Sequence, residues 1–142
     1  MGVSLLGLLL DTSVLIASER RGEAIEDILR RVRAEYGEVD IALSAISAVE
    51  LTHGIYRAKT DADRARRRIF ADGVFQGLIV HPVSLEIAQL AGRIEGEQAD
   101  VGNVIAFEDL VIGATALHLG FDVASANVKH FQRIPGLTVV TL

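Results

Sequence analysis

The chain has 142 residues, half of them hydrophobic, with a formal net charge of −5 and no cysteine. That is apolar material enough for one domain spanning 1–142 without staples, and it excludes disulfides, thiolate zinc sites and cysteine nucleophiles. The acidic balance argues against broad electrostatic binding of nucleic acid, which needs a basic footprint.

In chain order, "LLGLLL" (5–10) reads as a buried strand, and a helix begins by 13–17. The apolar N-terminal run is broken by Asp11, is too short for a membrane span and lacks the basic start of a signal peptide. A cytoplasmic protein with no membrane segment is therefore expected. "GEAIEDILRRVRAEYG" (22–37) is an amphipathic helix, with Ile25, Ile28, Leu29 and Val32 on one face. "DIALS" (40–44) is a second strand, followed by helices over 45–59 and 61–75. "GLIVHPV" (77–83) is a third strand. Ser84 caps a helix over 84–98, and "FEDLVIGATALHLG" (107–120) is a helix ending at Gly120. "FDVAS" (121–125) and "LTVVTL" (137–142) complete the strands. Strands alternating with helices predict an α/β fold, a three-layer α/β/α sandwich around a mostly parallel sheet. In such sheets ligands bind beyond the carboxyl ends of the strands.

Three acids sit near those ends inside apolar sequence: Asp11 in "LLLDTSVLI", Glu50 in "AISAVELTH" and Asp109 in "AFEDLVIGA". Ser125 and Asn127 follow the fourth strand. Each position has an ordinary alternative. Asp11, Thr12 and Ser13 are residues that cap helices. Glu50 is in reach of Arg57. Glu108 and Asp109 suit the positive end of a helix dipole. Asn127 suits a turn. Their joint placement at one sheet edge favours a shared site. Clustered carboxylates repel one another and recruit a cation. Oxygen donors without cysteine or a histidine set favour Mg²⁺ or Mn²⁺, whose chemistry suits hydrolysis of a phosphodiester.

At these residues the chain resembles a known family. "LLLDTSVLIA", "ALSAISAVELTHGIYRA", "FEDLVIGATALHLGFDVAS" and "NVKHFQRIPGLTVV" are similar, in order, to the motifs of PIN-domain ribonucleases, and more narrowly of VapC-type toxins of toxin–antitoxin pairs. The resemblance implies a PIN-like sheet sandwiched by helices and an acidic pocket that binds Mg²⁺ or Mn²⁺ and cuts RNA. It places the family's first three acids on Asp11, Glu50 and Asp109 as metal ligands and its fourth on Asn127, where an amide replaces a carboxylate. Thr12, Ser13 and Ser125 are expected to support the site through their hydroxyls. Arg20, Arg21, Arg64 and Arg66 are expected to steer the RNA backbone. The target stays open between tRNA, an rRNA loop and mRNA. The resemblance also implies a homodimer and a VapB-like antitoxin that covers the active site. Its docking groove is expected among Ile46, Val49, Leu51, Ile55, Tyr56, Ile69 and Phe70.

Two rivals remain. "ELTH" puts Glu50 and His53 at the Glu-x-x-His spacing of di-iron bundles, but a second motif and four long helices are missing. A catalytically weak PIN-like module that holds antitoxin or RNA without cleavage is kept open by Asn127.

Overall fold

A computed structural model describes residues 6–142; the first residue of the expected N-terminal strand, Leu5, lies outside the described residues. Among the described residues there are five strands: β1 (Gly7–Leu10), β2 (Asp40–Ser44), β3 (Ile79–His81), β4 (Asp122–Ser125) and β5 (Val139–Thr141). They pair in the order β3-β2-β1-β4-β5, and every pair is parallel. The expected mostly parallel sheet is thus wholly parallel. Six helices connect them: α1 (Thr12–Arg20), α2 (Ile25–Tyr36), α3 (Ala45–Arg57), α4 (Asp61–Gly77), α5 (Leu85–Asp100) and α6 (Phe107–Leu119).

Successive side chains of a strand point to opposite faces of a sheet. Leu8 and Leu10 of β1, with Leu43 and Ala124, therefore join a core with α1, α2, α3 and α4. Leu9, with Ala42 and Val123, joins a second core with α5 and α6. Burial on both faces is why β1 reads as an unbroken apolar run. No helix among the described residues is long and apolar enough to cross a membrane.

Local chemistry sets the helix ends. Ser84 Oγ accepts the Ile87 amide at 3.2 Å, and Gly120 adopts φ +72° beyond α6. The expected helix over 22–37 starts later, at Ile25, because Gly22 turns at φ +77° and Asp27 Oδ2 accepts the Ala24 amide at 2.9 Å. The third strand is shorter than its apolar run, and a single-turn 3-10 helix, Val128–Phe131, follows β4.

The chain runs outward from β1 to β2 and β3, then returns to the other side of β1 as β4. The crevice between the carboxyl ends of β1 and β4 is the switch point where parallel α/β sheets bind ligands.

Candidate active site

Asp11 leaves β1 at this crevice. Its amide donates to Ala124 O of β4 at 2.9 Å, which fixes the residue over the switch point. Asp11 stands at the cap position of α1, but its side chain makes no capping hydrogen bond. Instead the Ser13 and Ser125 hydroxyls both donate to Oδ2, at 2.6 and 2.8 Å. Each of those hydroxyls is itself oriented. The Ala126 amide donates to Ser13 Oγ at 3.2 Å, and the Asn127 amide donates to Ser125 Oγ at 2.8 Å. The carboxylate is only 5% exposed, so its charge is held by these two donors, and Oδ1 has no hydrogen-bond partner among the described residues.

Glu50 arrives from the second turn of α3. The Thr12 hydroxyl, next to Asp11, donates to its Oε1 at 2.8 Å and lies 2.8 Å from Ser47 Oγ. No salt bridge to Arg57 forms. Burial pushes the Glu50 carboxyl up to about 7, aided by a hydrogen bond to Glu108 and by the charges of Glu108 and Asp11, against the pull of Thr12. Asp109 comes from the first turn of α6. Burial, then the charge of Asp11, lifts its carboxyl above the ordinary range; His130, with Nδ1 3.6 Å from Oδ2, pulls it down.

Asp11, Thr12, Ser13, Glu50, Asp109 and Asn127 line one cleft of about 460 Å³, together with Ile16, Ala106, Phe107, Glu108 and His130. Ser125 stands behind Asp11 rather than on the lining. The Asn127 side chain caps no helix, so its amide group is free at the cleft. From the sequence, Glu108 is only a first-turn acid suited to the helix dipole, and Phe107 and His130 belong to no site. Two adjacent acids in "FED" carry no sign of which one turns inward, and here both do.

Of the expected RNA-steering arginines, Arg20 lies on a groove of about 320 Å³ that shares Ile16, Glu50 and Glu108 with the cleft. Arg57 and Arg67 line it too. Arg21, Arg64 and Arg66 are on neither lining. They are drawn to local acids: Arg21 to Glu23 at 2.7 Å, Arg64 to Asp61 at 3.4 Å and Arg66 to Asp63 at 2.8 Å. Of the expected partner-groove residues, Leu51 and Phe70 line this groove but are mostly buried, Ile46 and Ile55 pack into the two cores, and Val49, Tyr56 and Ile69 are exposed elsewhere.

The donor set suits a hard divalent cation, since four carboxylates face a cleft with no lysine or arginine on its lining. Among the described residues, however, no three acids or histidines converge into a ready-made cage. Like charges without a counter-ion spread apart or take up protons, as the raised Glu50 and Asp109 do. Mg²⁺ retains much of its water and needs only one or two direct carboxylates, so the open arrangement fits such an ion.

The model of the PIN domain family matches residues 8–137. "Ribonuclease VapC1" of Rickettsia felis is 31% identical over 137 residues, covering 96% of this chain and 97% of the relative. "Ribonuclease VapC" of Rickettsia bellii is also 31% identical over 137 residues, with the same coverage, 96% and 97%. Among solved structures, a DNA-bound VapBC from Salmonella typhimurium superposes with a TM-score of 0.81 at 25% identity, covering 96% of this chain and 98% of that one.

Proposed function

Because the chain belongs to the PIN-domain family, and within it to the VapC ribonucleases, we propose that it is a divalent-metal-dependent endoribonuclease toxin, cytoplasmic and held in check by a VapB-like antitoxin. One observation carries the activity: four carboxylates from three segments line one open cleft over the sheet's switch point, with Asp11 pinned by two hydroxyls. Asp11, Glu50 and Asp109 would hold Mg²⁺ or Mn²⁺. When bound, that ion supplies neutralisation of the carboxylates and Lewis acidity toward phosphate oxygens.

The chain's own groups then have separate tasks. Ser13 and Ser125 hold Asp11 through Oδ2, which leaves Oδ1 available for a ligand. Thr12 holds Glu50 through Oε1. The Glu50 value near 7 belongs to the metal-free cleft, so Glu50 would give up its proton on taking hold of the cation. The Asn127 amide offers a neutral donor and acceptor where a fourth acid would add charge. Arg20 and Arg57, on the adjoining groove, lie where a phosphate chain leaving the cleft meets positive charge.

The same groove, lined by Ile16, Leu51 and Phe70, by Arg20, Arg57 and Arg67 and by Glu19, Glu50 and Glu108, supports an antitoxin segment of mixed apolar and charged character. A homodimer is part of this proposal and is checked by light scattering.

The decisive experiment is cleavage of a mixed tRNA, rRNA and mRNA pool with Mg²⁺ or Mn²⁺, with and without EDTA. Asp11→Asn should cut activity by roughly a hundredfold or more, the scale of losing one preorganised electrostatic group. Native-rate cleavage by that variant sinks the site assignment. An inert wild type that binds its partner tightly would instead be the binding module that Asn127 keeps open.

A further inference from the structure

The catalytic cleft has a charge problem for its substrate. Its lining holds Asp11, Glu50, Glu108 and Asp109 but no lysine or arginine, and the whole chain carries a net charge of −5. A phosphate backbone approaching it gains little from the protein's own charge. Contacts to bases would then add to what a bound cation and the adjoining Arg20 and Arg57 give the phosphates. One residue on the lining has the chemistry for that. Phe107 is 66% exposed, although burying such a ring is worth roughly 1.5–3 kcal/mol. Folding does not use it. It is the first residue of α6, whose next turns, Leu110–Ala116, are buried without a break. The ring is therefore presented by a firmly seated helix, one residue before Glu108 and two before Asp109. Asn127 and His130, both exposed, share its cleft and offer edge hydrogen bonds.

We propose that Phe107 is a stacking platform for an unpaired nucleobase beside the scissile phosphate, so that the enzyme selects RNA whose bases are splayed out of a helix. Aromatic stacking of this kind tolerates any base and works only on unpaired strands. The inference rests on RNA being the substrate. The competing occupant is a second copy of this chain, since Val101 and Val104 are also exposed nearby, though neither lines the cleft.

The chain contains no tryptophan, so Phe107→Trp introduces a sole indole reporter. In an Asp11→Asn background, titration with a single-stranded RNA of about 12 nucleotides should quench its emission. The same backbone with abasic sites should not. In cleavage assays Phe107→Ala should raise KM roughly tenfold while kcat changes by less than about threefold, the pattern of lost ground-state binding. Phe107→Trp should restore KM and Phe107→Leu should not, which separates a π face from apolar bulk. Unchanged KM in Phe107→Ala, equal quenching by the abasic strand, or a dimer that falls apart in Phe107→Ala by light scattering each overturns the stacking role. Base-dependent quenching with no cleavage by wild type upholds the platform and overturns the ribonuclease reading. Normal cleavage without quenching overturns the platform alone.

Discussion

Asp11 shows how a single side chain can be read two ways until its neighbours are known. Position and residue type suit a helix cap, yet its oxygen takes two serine hydroxyls, one of them 114 positions away. Removing Ser125 leaves a buried carboxylate with one donor fewer. Hydrogen bonds to charged groups contribute about 1.5–3 kcal/mol, so Ser125→Ala should lower stability by about that much in urea melts at neutral pH, and activity with it. Glu50 sets a pH dependence. Its folded value, about 7, lies above the ordinary 4.5, so between these values the folded chain binds more protons than the unfolded one. Stability then falls as pH rises across that window, and the Asp109 shift has the same sign. Glu23, held down to about 2 by Arg31 and Arg21, acts only below it. Metal-free protein should therefore melt progressively lower from about pH 4.5 to 7, and Glu50→Gln should flatten that slope. An unchanged slope in the variant would place the titration elsewhere.

At the scale of elements, the sequence carried the strands that are buried on both faces and the helices with clear ends. "DIALS" is a strand with the expected bounds, and Ser84 and Gly120 end their helices as side-chain and backbone chemistry requires. It was less informative where packing decides. Gly7 opens β1 although glycine weakens strands. The reason is the Phe121 ring, whose atoms would lie 2.6–2.8 Å from an added Cβ. Gly7→Ala should therefore destabilise by about 1–3 kcal/mol, the usual cost of overpacking, despite its better strand propensity. A thermal melt decides it, and a neutral or stabilising result would show that the ring swings aside freely. Packing also decides where the arginines of 64–68 stand. On α4, Arg64 and Arg66 have acids three residues earlier to bind, so they are spent locally.

Across the whole molecule, function follows from the strand order. Only the reversal between β1 and β4 brings residue 11 beside residue 125. Charge accumulated there should make the fold responsive to cations. Millimolar Mn²⁺ or Mg²⁺ should raise the melting temperature, because an ion bound only by the folded state stabilises it by mass action. EDTA should reverse the shift and Asp11→Asn should abolish it. An absence of any shift in wild type would count against a divalent ion at this cleft.

The sequence was enough for the α/β class, most element positions and the family, and it singled out Asp11, Glu50 and Asp109, which line one cleft. Those signals are local: apolar periodicity, capping residues and charges stranded in apolar runs. Tertiary structure alone decided that Glu108 turns in with Asp109, that Phe107 and His130 join the cleft, and that Arg57 and Arg67 rather than Arg64 and Arg66 flank it. The direction a side chain faces depends on how helices rotate onto the sheet. That rotation is fixed by packing between segments far apart in the chain, which no local pattern encodes.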